Sequence, residues 1–345
     1  MRKLFLLAGN LVALTAAFGL LARYVSPEVF WPPAIIALLL PGLLLLTLLF
    51  LCIQLARKRW ASLIFPALVL LLSWPVVNRL LAWPTQRDPP PLDSPTVTVV
   101  TGNQRMFRHD DRTDATLEEV RNFFSGTNTD ILLLQETWPR QRNKNYISAM
   151  QEGTGLEERH QRDKTLIATY ADGIVGQTEY FQDSEYHGIL LTDVQTELGT
   201  LRIINSHLQS NRISDMAEGI SGENSLSNQL TTFGRMLAGY GRTTRQRAAQ
   251  AQQIRRFVEE SPYPVILGGD FNDVPSSYMY NEILSPRLQD AWVQAGTGLG
   301  TTFTGPLPGL RIDYFMVDTS LSVVSMERLS SPWSDHRPLR LVVTQ

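Results

Sequence analysis

The sequence predicts an α/β sandwich with two central β-sheets, preceded by three transmembrane helices. Nearly all of the long apolar runs in the 345 residues lie before Trp83. After that residue, short apolar runs of strand length mix with helical patterns in no strict alternation, which favours a sandwich over a doubly wound parallel sheet. We therefore expect a membrane domain over residues 1–84, a proline-rich linker over 85–96 and a second folded domain over 97–345.

Three apolar stretches cover the membrane domain, namely Leu4–Ala22, Phe30–Ala56 and Trp60–Trp83. Each is long enough to cross a bilayer, which takes roughly 20 mostly apolar residues. Tryptophans lie mostly near the ends of these stretches, as interfacial anchors do. A signal peptide is the alternative interpretation of the first stretch. Two observations argue against a signal peptide: two further apolar stretches follow the first, and no clear cleavage site of small residues precedes them.

Basic residues in the loops predict how the chain crosses the membrane. Arg2 and Lys3 precede the first stretch, and Arg57–Arg59 lie between the second and third. Because positive loops stay in the cytoplasm, three crossings would place residues after Trp83 outside it. We expect a multi-pass integral membrane protein whose folded domain faces the periplasm or the cell exterior. The lipid bilayer is then its first partner, and no protein partner is implied.

Charge and cysteine content limit the possible functions. Residues 1–89 hold 8 of the 31 Lys and Arg and 2 of the 33 Asp and Glu, so residues 90–345 carry 23 and 31, a net charge of −8. A general nucleic-acid binder needs a basic face, so this charge argues against polyanionic substrates, although a local basic groove stays open. The single cysteine, Cys52, excludes disulfides within the chain and thiolate metal clusters.

Short runs of β-branched and apolar residues predict the strands, which are Val97–Thr101, Ile131–Leu134, Ile189–Val194, Leu201–Asn205, Val265–Gly268, Ile312–Val317 and Leu339–Val343. The third and fourth form a hairpin that turns near Gly199. Helical spacing of apolar residues predicts helices over Thr116–Ser125 and Arg245–Glu260. Residues 209–244 are rich in Gly, Ser and Asn, and two interpretations stay open: a lid or membrane-facing flap beside a site, or a disordered surface excursion.

Polar side chains recur at the ends of these strands: Asn103, Gln135, Glu136, His207, Asp270, Asn272, Asp313, Asp335 and His336. Carboxylates, amides and imidazoles at one edge of a sheet make a polar pocket on a rigid support. Oxygen-rich ligation suits Mg²⁺ or Mn²⁺, which keep waters and phosphate oxygens among their ligands.

Each of these residues also has a structural interpretation. Glu136 could be an acid at a helix start, and His207 a satisfied histidine at a strand end. Asp270 and Asn272 could form a turn, since both residue types do so readily. Asn103 could be a simple turn residue, and Asp313 could be a surface acid on its strand. Asp335 and His336 could form a structural pair. Three other histidines match no motif and are interpreted as surface residues: His109, His160 and His187.

The order of these clusters resembles the motif series of the endonuclease/exonuclease/phosphatase superfamily. That superfamily includes deoxyribonuclease I, abasic-site endonucleases, neutral sphingomyelinases and inositol-polyphosphate 5-phosphatases. The resemblance covers about Val97 to Gln345 and implies a four-layer sandwich in which helices flank two mixed sheets. Its motifs are Asn103, Gln135–Glu136, Ser206–His207–Leu208, Gly269–Asp270–Phe271–Asn272, Ile312–Asp313–Tyr314 and Ser334–Asp335–His336. Single motifs are weak, but the last three in this order are a strong combination.

The resemblance implies a role for each residue. Glu136 would hold Mg²⁺ or Mn²⁺, with Asn103 close by and Asp335 contributing. His336, oriented by Asp313 or Asp335, would work with Asp270 to position and deprotonate the attacking water. Which of Asp270 and His336 is the base stays open. Asn272 would orient Asp270 and the phosphate. His207 would donate to the phosphate or to the leaving group.

The resemblance therefore implies metal-dependent hydrolysis of a phosphoester in a lipid or a small metabolite. An extracytoplasmic nuclease and a non-catalytic, membrane-anchored binding module are the alternatives. One departure concerns a family stretch that often reads GLAILSR. The nearest match here, Thr165–Tyr170, lacks the Ser–Arg pair. This puts the substrate-side contacts in doubt and leaves the metal ligands unaffected.

Overall fold

A computed structural model describes residues 2–83, 94–138, 144–181, 184, 186–211, 226–305 and 309–345. The chain forms two compact units. The membrane-helix unit comprises Met1–Leu81, Asn211–Gln252 and Asp273–Ile283, and the sandwich unit comprises Ala82–Ser210, Gln253–Asn272 and Leu284–Gln345. The domain boundaries at residues 84, 97 and 209–244 stay predictions, and most of the proline-rich linker lies outside the described residues.

The elements of the described residues are numbered in chain order. The α-helices are α1 (Arg2–Leu20), α2 (Pro27–Phe30), α3 (Pro32–Ala56), α4 (Ile64–Leu80), α5 (Leu117–Ser125), α6 (Tyr146–Thr154), α7 (Leu226–Glu259), α8 (Tyr278–Ile283) and α9 (Ala291–Ala295). The strands are β1 (Val97–Asn103), β2 (Ile131–Gln135), β3 (Arg159–His160), β4 (Ala168–Ala171), β5 (Ile174–Tyr180), β6 (Gly188–Thr196), β7 (Gly199–His207), β8 (Val265–Asp270), β9 (Leu288–Asp290), β10 (Asp313–Asp318), β11 (Ser322–Arg328) and β12 (Leu339–Thr344).

Two six-stranded mixed sheets make up the sandwich unit, which confirms the predicted fold class. Their strand orders are β11-β12-β1-β2-β4-β3 and β5-β6-β7-β8-β10-β9. In each sheet one parallel pair lies among antiparallel neighbours, β1 with β2 in the first and β7 with β8 in the second. The predicted hairpin is β6–β7, and Gly199 turns it with a φ of 86°.

Strand β2 shows how the sandwich is layered, because successive side chains of a strand point to opposite faces. Ile131 and Leu133 are fully buried in the core between the two sheets, with Ile203, Ile266 and Phe315 of the other sheet. The alternate residues face a second core, where Leu132 and Leu134 pack with Val120, Phe124, Tyr146 and Trp333. Helices α5 and α6 therefore cover the outer face of the first sheet.

Helix α5 begins one residue later than the sequence predicts, at a capping box. The Thr116 hydroxyl accepts a hydrogen bond from the Glu119 N–H at 3.1 Å, and the Glu119 carboxylate accepts from the Thr116 N–H at 2.7 Å. These two bonds satisfy backbone donors that the first helical turn leaves without partners. The helix then places Val120 and Phe124 on its buried face.

The membrane-helix unit contains three helices long and apolar enough to cross a membrane: Lys3–Arg23, Pro32–Ala56 and Trp60–Leu80. Their packed core combines small and branched side chains, namely Ala13, Ala16, Leu40, Leu44, Val69 and Val76. Alanines at such a contact let helix backbones approach closely, as packing in lipid requires. Leucines elsewhere on these helices are exposed, among them Leu7, Leu45 and Leu71.

Helix α7 corrects the predicted start of the helix Arg245–Glu260. The sequence predicts a helix that begins at Arg245, but the helix begins at Leu226 and is continuous to Glu259. Glycines lower helix propensity, which hid the helical pattern, and tertiary packing overrides that propensity. At Gly241 the reason is close approach, since a Cβ there would lie 2.9 Å from the Trp31 ring. Residues 212–225 lie outside the described residues.

Gly269 carries the first testable prediction. It has a φ of 139°, and a Cβ on it would lie 1.9 Å from the Ser206 carbonyl oxygen on the neighbouring strand. Because backbone on both strands would have to move, we expect Gly269→Ala to lower the free energy of unfolding by about 3 kcal/mol. Denaturant unfolding of the detergent-solubilised full chain measures this.

Gly126→Ala is the matched control. Gly126 follows α5 with a φ of −80°, and the nearest atom to an added Cβ would be 3.6 Å away. Its unfolding midpoint should stay close to that of the wild type, because alanine adopts this conformation without strain. Equal midpoints for the two variants would show that the strand contact at Gly269 tolerates a side chain.

Candidate active site

The strand ends bring the predicted polar residues to one edge of the sandwich unit. In the first sheet, parallel strands place Asn103 beside Gln135, and Glu136 follows directly. In the second sheet, parallel strands place His207 beside Asp270, and antiparallel β10 places Asp313 opposite Asp270. The carboxyl ends of parallel strands meet at the same edge of a sheet, where α/β proteins commonly bind ligands.

Asn103 joins the two sheets at this edge. Its side-chain nitrogen, Nδ2, donates to Glu136 Oε1 at 3.0 Å and to Asp270 Oδ2 at 3.1 Å. Its side-chain oxygen accepts from the Arg105 N–H at 2.9 Å, which orients the amide nitrogen toward the carboxylates. Two carboxylates therefore converge on one amide nitrogen. Such an arrangement of like charges favours a bound cation.

Asp270 is buried, with 1 % of its surface exposed. Its Oδ1 accepts from the Asn272 N–H at 2.9 Å, and the Asn272 side chain donates to the Leu208 carbonyl at 3.0 Å. Asn272 has a φ of 52°. This geometry is the turn that the two residue types favour, and it fixes the direction of the Asp270 carboxylate. Burial raises the pKa of Asp270, and the nearby His336 opposes that rise.

His336 and Asp313 form a buried pair. His336 Nδ1 lies 3.0 Å and 3.1 Å from the two Asp313 carboxylate oxygens, and Nε2 lies 3.9 Å from Asp270 Oδ2. Burial alone would lower the pKa of His336, but the negative charges of Asp313 and Asp270 outweigh it and raise that pKa to about 10. The imidazole is thus oriented by one carboxylate and faces another.

His207 presents its second ring nitrogen to the same cluster. Its Nδ1 lies 2.8 Å from the Tyr186 carbonyl oxygen, so this nitrogen carries the proton. Its Nε2 lies 3.6 Å from Asp270 Oδ2 and 3.9 Å from Glu136 Oε1. The backbone contact holds the ring so that Nε2 faces the site.

One of the three histidines interpreted as surface residues is buried, and the other two are half-buried. His187 is half-buried, and its ring centroid lies 4.8 Å from that of His207. His160 is buried, with Nδ1 2.8 Å from the Thr192 hydroxyl, and burial lowers its pKa. The contacts with Thr192 and His207 join residues distant in sequence, which the sequence neighbours of these two histidines do not indicate. His109 is half-buried and lies against the Pro332 carbonyl at 3.1 Å.

The donor set suits a hard divalent cation. Asp270, Asp313 and His336 offer ligand atoms within 4.8 Å of one another, and all three are buried. Glu136 adds a partly exposed carboxylate on a backbone with a φ of 48°. Positive φ is uncommon outside glycine and clusters at functional sites. Oxygen-rich ligation of this kind matches Mg²⁺ or Mn²⁺.

Asp335 occupies a different position from the other predicted ligands. Its carboxylate is about one-third exposed and lies 3.9 Å from Arg105 Nε. Its backbone carbonyl accepts from the Thr304 N–H at 2.8 Å. The side chain therefore pairs with a cation of the protein, and its role as a metal ligand stays a prediction.

Several supporting residues were missed. The Thr302 hydroxyl accepts from the Ile312 and Asp313 N–H groups, both at 3.1 Å, and so fixes the start of β10. The Ser334 hydroxyl donates to the Asn103 carbonyl at 2.7 Å and accepts from the His336 N–H at 3.0 Å. Ser334 stands in the Ser–Asp–His motif, which could have indicated it. No sequence signal indicates Thr302, which lies before β10 and is separated from it by a loop.

Comparison with known families agrees with this geometry. Residues 100–336 match the model described as "Endonuclease/Exonuclease/phosphatase family". Residues 2–80 match a domain of unknown function, DUF8431. No curated protein matches the chain.

Solved structures show the same fold at low sequence identity. A family protein from Bacteroides thetaiotaomicron has a TM-score of 0.51 at 15% identity, covering 73% of this chain and 98% of its own. Humanized D. rerio TDP2 has a TM-score of 0.51 at 14% identity, covering 72% and 99%. D. rerio TDP2 complexed with a single-strand DNA product has a TM-score of 0.50 at 14% identity, covering 72% and 99%.

Proposed function

Because the chain belongs to the endonuclease/exonuclease/phosphatase family, we propose that it hydrolyses a phosphoester bond with a divalent cation while anchored in a membrane. One observation carries the proposal: Glu136, Asp270 and His207 converge beside the Asp313–His336 pair. Each position keeps a residue able to bind a cation, move a proton or donate to a phosphate. A non-catalytic binding module would not require this set.

Glu136 is the proposed principal ligand, with Asn103 holding its carboxylate at 3.0 Å. Asp335 is the proposed further contributor, at the partly exposed side of the site. When bound, Mg²⁺ or Mn²⁺ would polarise a phosphate oxygen and stabilise the leaving oxygen. The exposed fraction of Glu136, about 30 %, leaves this carboxylate accessible to solvent and to a phosphate group.

Asp270 and His336 are the proposed groups that position and deprotonate the attacking water. Asp270 is oriented by the Asn272 N–H and His336 by Asp313, so neither side chain is free to rotate. The 3.9 Å between His336 Nε2 and Asp270 Oδ2 brings both groups within reach of one water molecule. The proton of the water passes to this pair, and Asp270 is the proposed acceptor because the neighbouring carboxylates favour the protonated form of His336.

His207 is the proposed donor to the phosphate or to the leaving oxygen. Its Nδ1 donates to the Tyr186 carbonyl, so Nε2 is the nitrogen directed at the site and donates there when the ring is protonated on both nitrogens. Asn272 is proposed to orient Asp270 and the phosphate, since its N–H donates to Asp270 Oδ1 at 2.9 Å and its side-chain amide is held by the Leu208 carbonyl at 3.0 Å. These donors would stabilise charge that develops on the phosphate in the transition state.

The substrate is proposed to be a membrane lipid or a small phosphoester. Membrane anchoring and the net charge of −8 over residues 90–345 support this class. A nuclease is the second candidate, because D. rerio TDP2, which has the same fold, is complexed with a single-strand DNA product. The acidic charge of this chain weighs against it, since nucleic-acid affinity requires contacts from Lys and Arg to phosphates.

A substrate panel tests the function. We expect the purified full chain to hydrolyse a chromogenic phosphodiester and phospholipid vesicles in Mg²⁺ or Mn²⁺, and to lose this activity in a chelator. Activity on plasmid DNA that falls steeply with salt would favour the nuclease instead. Absence of metal-stimulated turnover on every substrate, inositol phosphates included, would overturn the proposed hydrolysis.

The sandwich unit is proposed to lie outside the cytoplasm, on the loop charges given above. A reporter fused after Gln345 tests this orientation. Alkaline phosphatase is active only outside the cytoplasm, so we expect an active phosphatase fusion and a dark fluorescent-protein fusion. The opposite pair of results would place the sandwich unit in the cytoplasm.

A further inference from the structure

Part of helix α7 belongs to the membrane-helix unit and packs on the beginning of α3. The Tyr240 hydroxyl donates to the Ala34 carbonyl at 3.1 Å, and Gly241 lies against the Trp31 ring. One turn further along, Arg245 Nε donates to the Pro27 carbonyl at 3.3 Å. Residues 240–245 are thereby fixed to the start of the second candidate span.

The N-terminal half of α7 continues this apolar face, on which Phe233 is exposed and Leu237 is half-buried. Phe233, Leu237 and Tyr240 recur at the spacing that places side chains on one face of a helix. Tyr240 is buried against α3, whereas Phe233 is 48% exposed. Arg235 and Arg242 fall on the opposite face and are exposed. The helix is therefore amphipathic, and its apolar face is on the same side of the helix as Tyr240.

Other exposed apolar side chains surround the same end of α3. Tyr24, Val29 and Phe30, in the connection from α1 to α3, are 67%, 83% and 48% exposed. Arg23, at the end of the first candidate span, is only 8% exposed, and the described residues give its Nε no acceptor. Aromatic residues at span ends are typical of the lipid headgroup level, and the Arg23 guanidinium lies over the Tyr24 ring at 4.7 Å.

This part of α7 is basic, although residues 90–345 as a whole are acidic. Residues 226–252 hold four arginines and no Asp or Glu, although residues 90–345 carry a net charge of −8. Arg235 and Arg242 are exposed, whereas Arg247 is buried and paired with Asp273 at 3.0 Å. A helix with an apolar face and exposed arginines opposite it binds anionic bilayer surfaces, through buried apolar area and electrostatic attraction.

We propose that the N-terminal half of α7 is an interfacial helix that lies on the bilayer, with Phe233 and Leu237 in the boundary between headgroups and acyl chains. The bilayer is favoured as the occupant because the apolar face is continuous with the contact that Tyr240 makes on a candidate span. The inference rests on the proposed membrane anchoring and is independent of the catalytic assignment.

Single-cysteine labelling in the full chain tests the proposal. Cys52→Ser removes the only native thiol, and Phe233→Cys then places one label on the apolar face, where the side chain is already half exposed. Ala238→Cys is the matched control, since Ala238 is exposed and lies on the far side of the same helix. Both receive a nitrobenzoxadiazole label in vesicles of phosphatidylcholine and phosphatidylglycerol, with or without bromine on the acyl chains.

The fluorescence emission of the label at position 233 should be blue-shifted relative to that of the label at 238. In brominated vesicles, the label at 233 should lose most of its fluorescence intensity. The label at 238 should be quenched by aqueous iodide and unaffected by bromine. Equal behaviour of the two labels would overturn the proposal. A blue-shifted label at 233 that bromine does not quench would also overturn it, because a protein surface such as a second copy would then cover the face. Phosphodiester hydrolysis by the same vesicles reports the catalytic proposal separately.

Discussion

Replacing Asp270 by Asn is expected to lower kcat about 10³-fold, the scale of a lost general base or positioning group. The amide keeps the size of the side chain but removes the negative oxygens that face Asn103, His207 and His336. Burial disfavours the charged carboxylate, so the variant should unfold no more easily than the wild type. Steady-state hydrolysis of a chromogenic phosphodiester, with a denaturant curve on the same sample, measures both effects.

Asp130→Asn is the control for this variant. Asp130 precedes β2 at the opposite end of that strand, where its carboxylate accepts the Thr98 N–H at 2.7 Å. It should cost some stability and leave kcat unchanged, since it lies far from the strand ends that form the site. Wild-type turnover by Asp270→Asn would remove Asp270 from the mechanism.

Asp313→Asn should lower kcat by about two to three decades with a smaller change in KM. Asp313 contacts His336 Nδ1 with both carboxylate oxygens, which fixes the ring and stabilises its protonated form. An amide would accept only one such bond and would supply no charge, so the imidazole would lose orientation during proton transfer. Orienting carboxylates of this kind contribute up to about four decades in the hydrolytic triads of other enzymes.

Asp318→Asn is a matched control on the same strand. Asp318 ends β10 as Asp313 begins it, and it is similarly buried, but it pairs with Arg287 at 2.7 Å. Its loss should reduce stability and leave kcat near the wild-type value. If the two variants lost activity equally, the effect of Asp313→Asn would be structural.

The sequence predicted the central strands except β4, because buried strands are continuous apolar runs. Ile131–Leu134 and Val265–Gly268 each match an observed strand that extends one or two residues further, to Gln135 and Asp270. The polar residues end the strands instead of following them. Their polarity masked the extension, although backbone pairing with the neighbouring strand continues through them.

Edge strands were not predicted. Strand β5, Ile174–Tyr180, is mostly exposed and polar because only one edge of it pairs within its sheet. Edge strands commonly carry polar and charged residues that oppose aggregation, so they lack the apolar signal of a central strand. Strand β3, with two residues, is too short for any periodic pattern.

The site itself was predicted as a set of residues, without its connections. That Asn103 would join Glu136 to Asp270 depends on how two sheets pack, which strand patterns do not specify. The same holds for His187, placed against His207 by strand pairing, and for Thr302, placed behind Asp313 by a loop. Contacts between residues distant in sequence are the part that periodicity cannot supply.

Manganese binding by the detergent-solubilised full chain, followed by electron paramagnetic resonance, tests most directly whether these residues form one cation site. We predict that the wild type binds a single Mn²⁺, and that Glu136→Gln weakens binding about tenfold or more. Glu152→Gln, which removes an exposed carboxylate paired with Arg121, should bind as the wild type does. Equal Mn²⁺ affinity of Glu136→Gln and the wild type would contradict a cation centre at this edge of the sandwich.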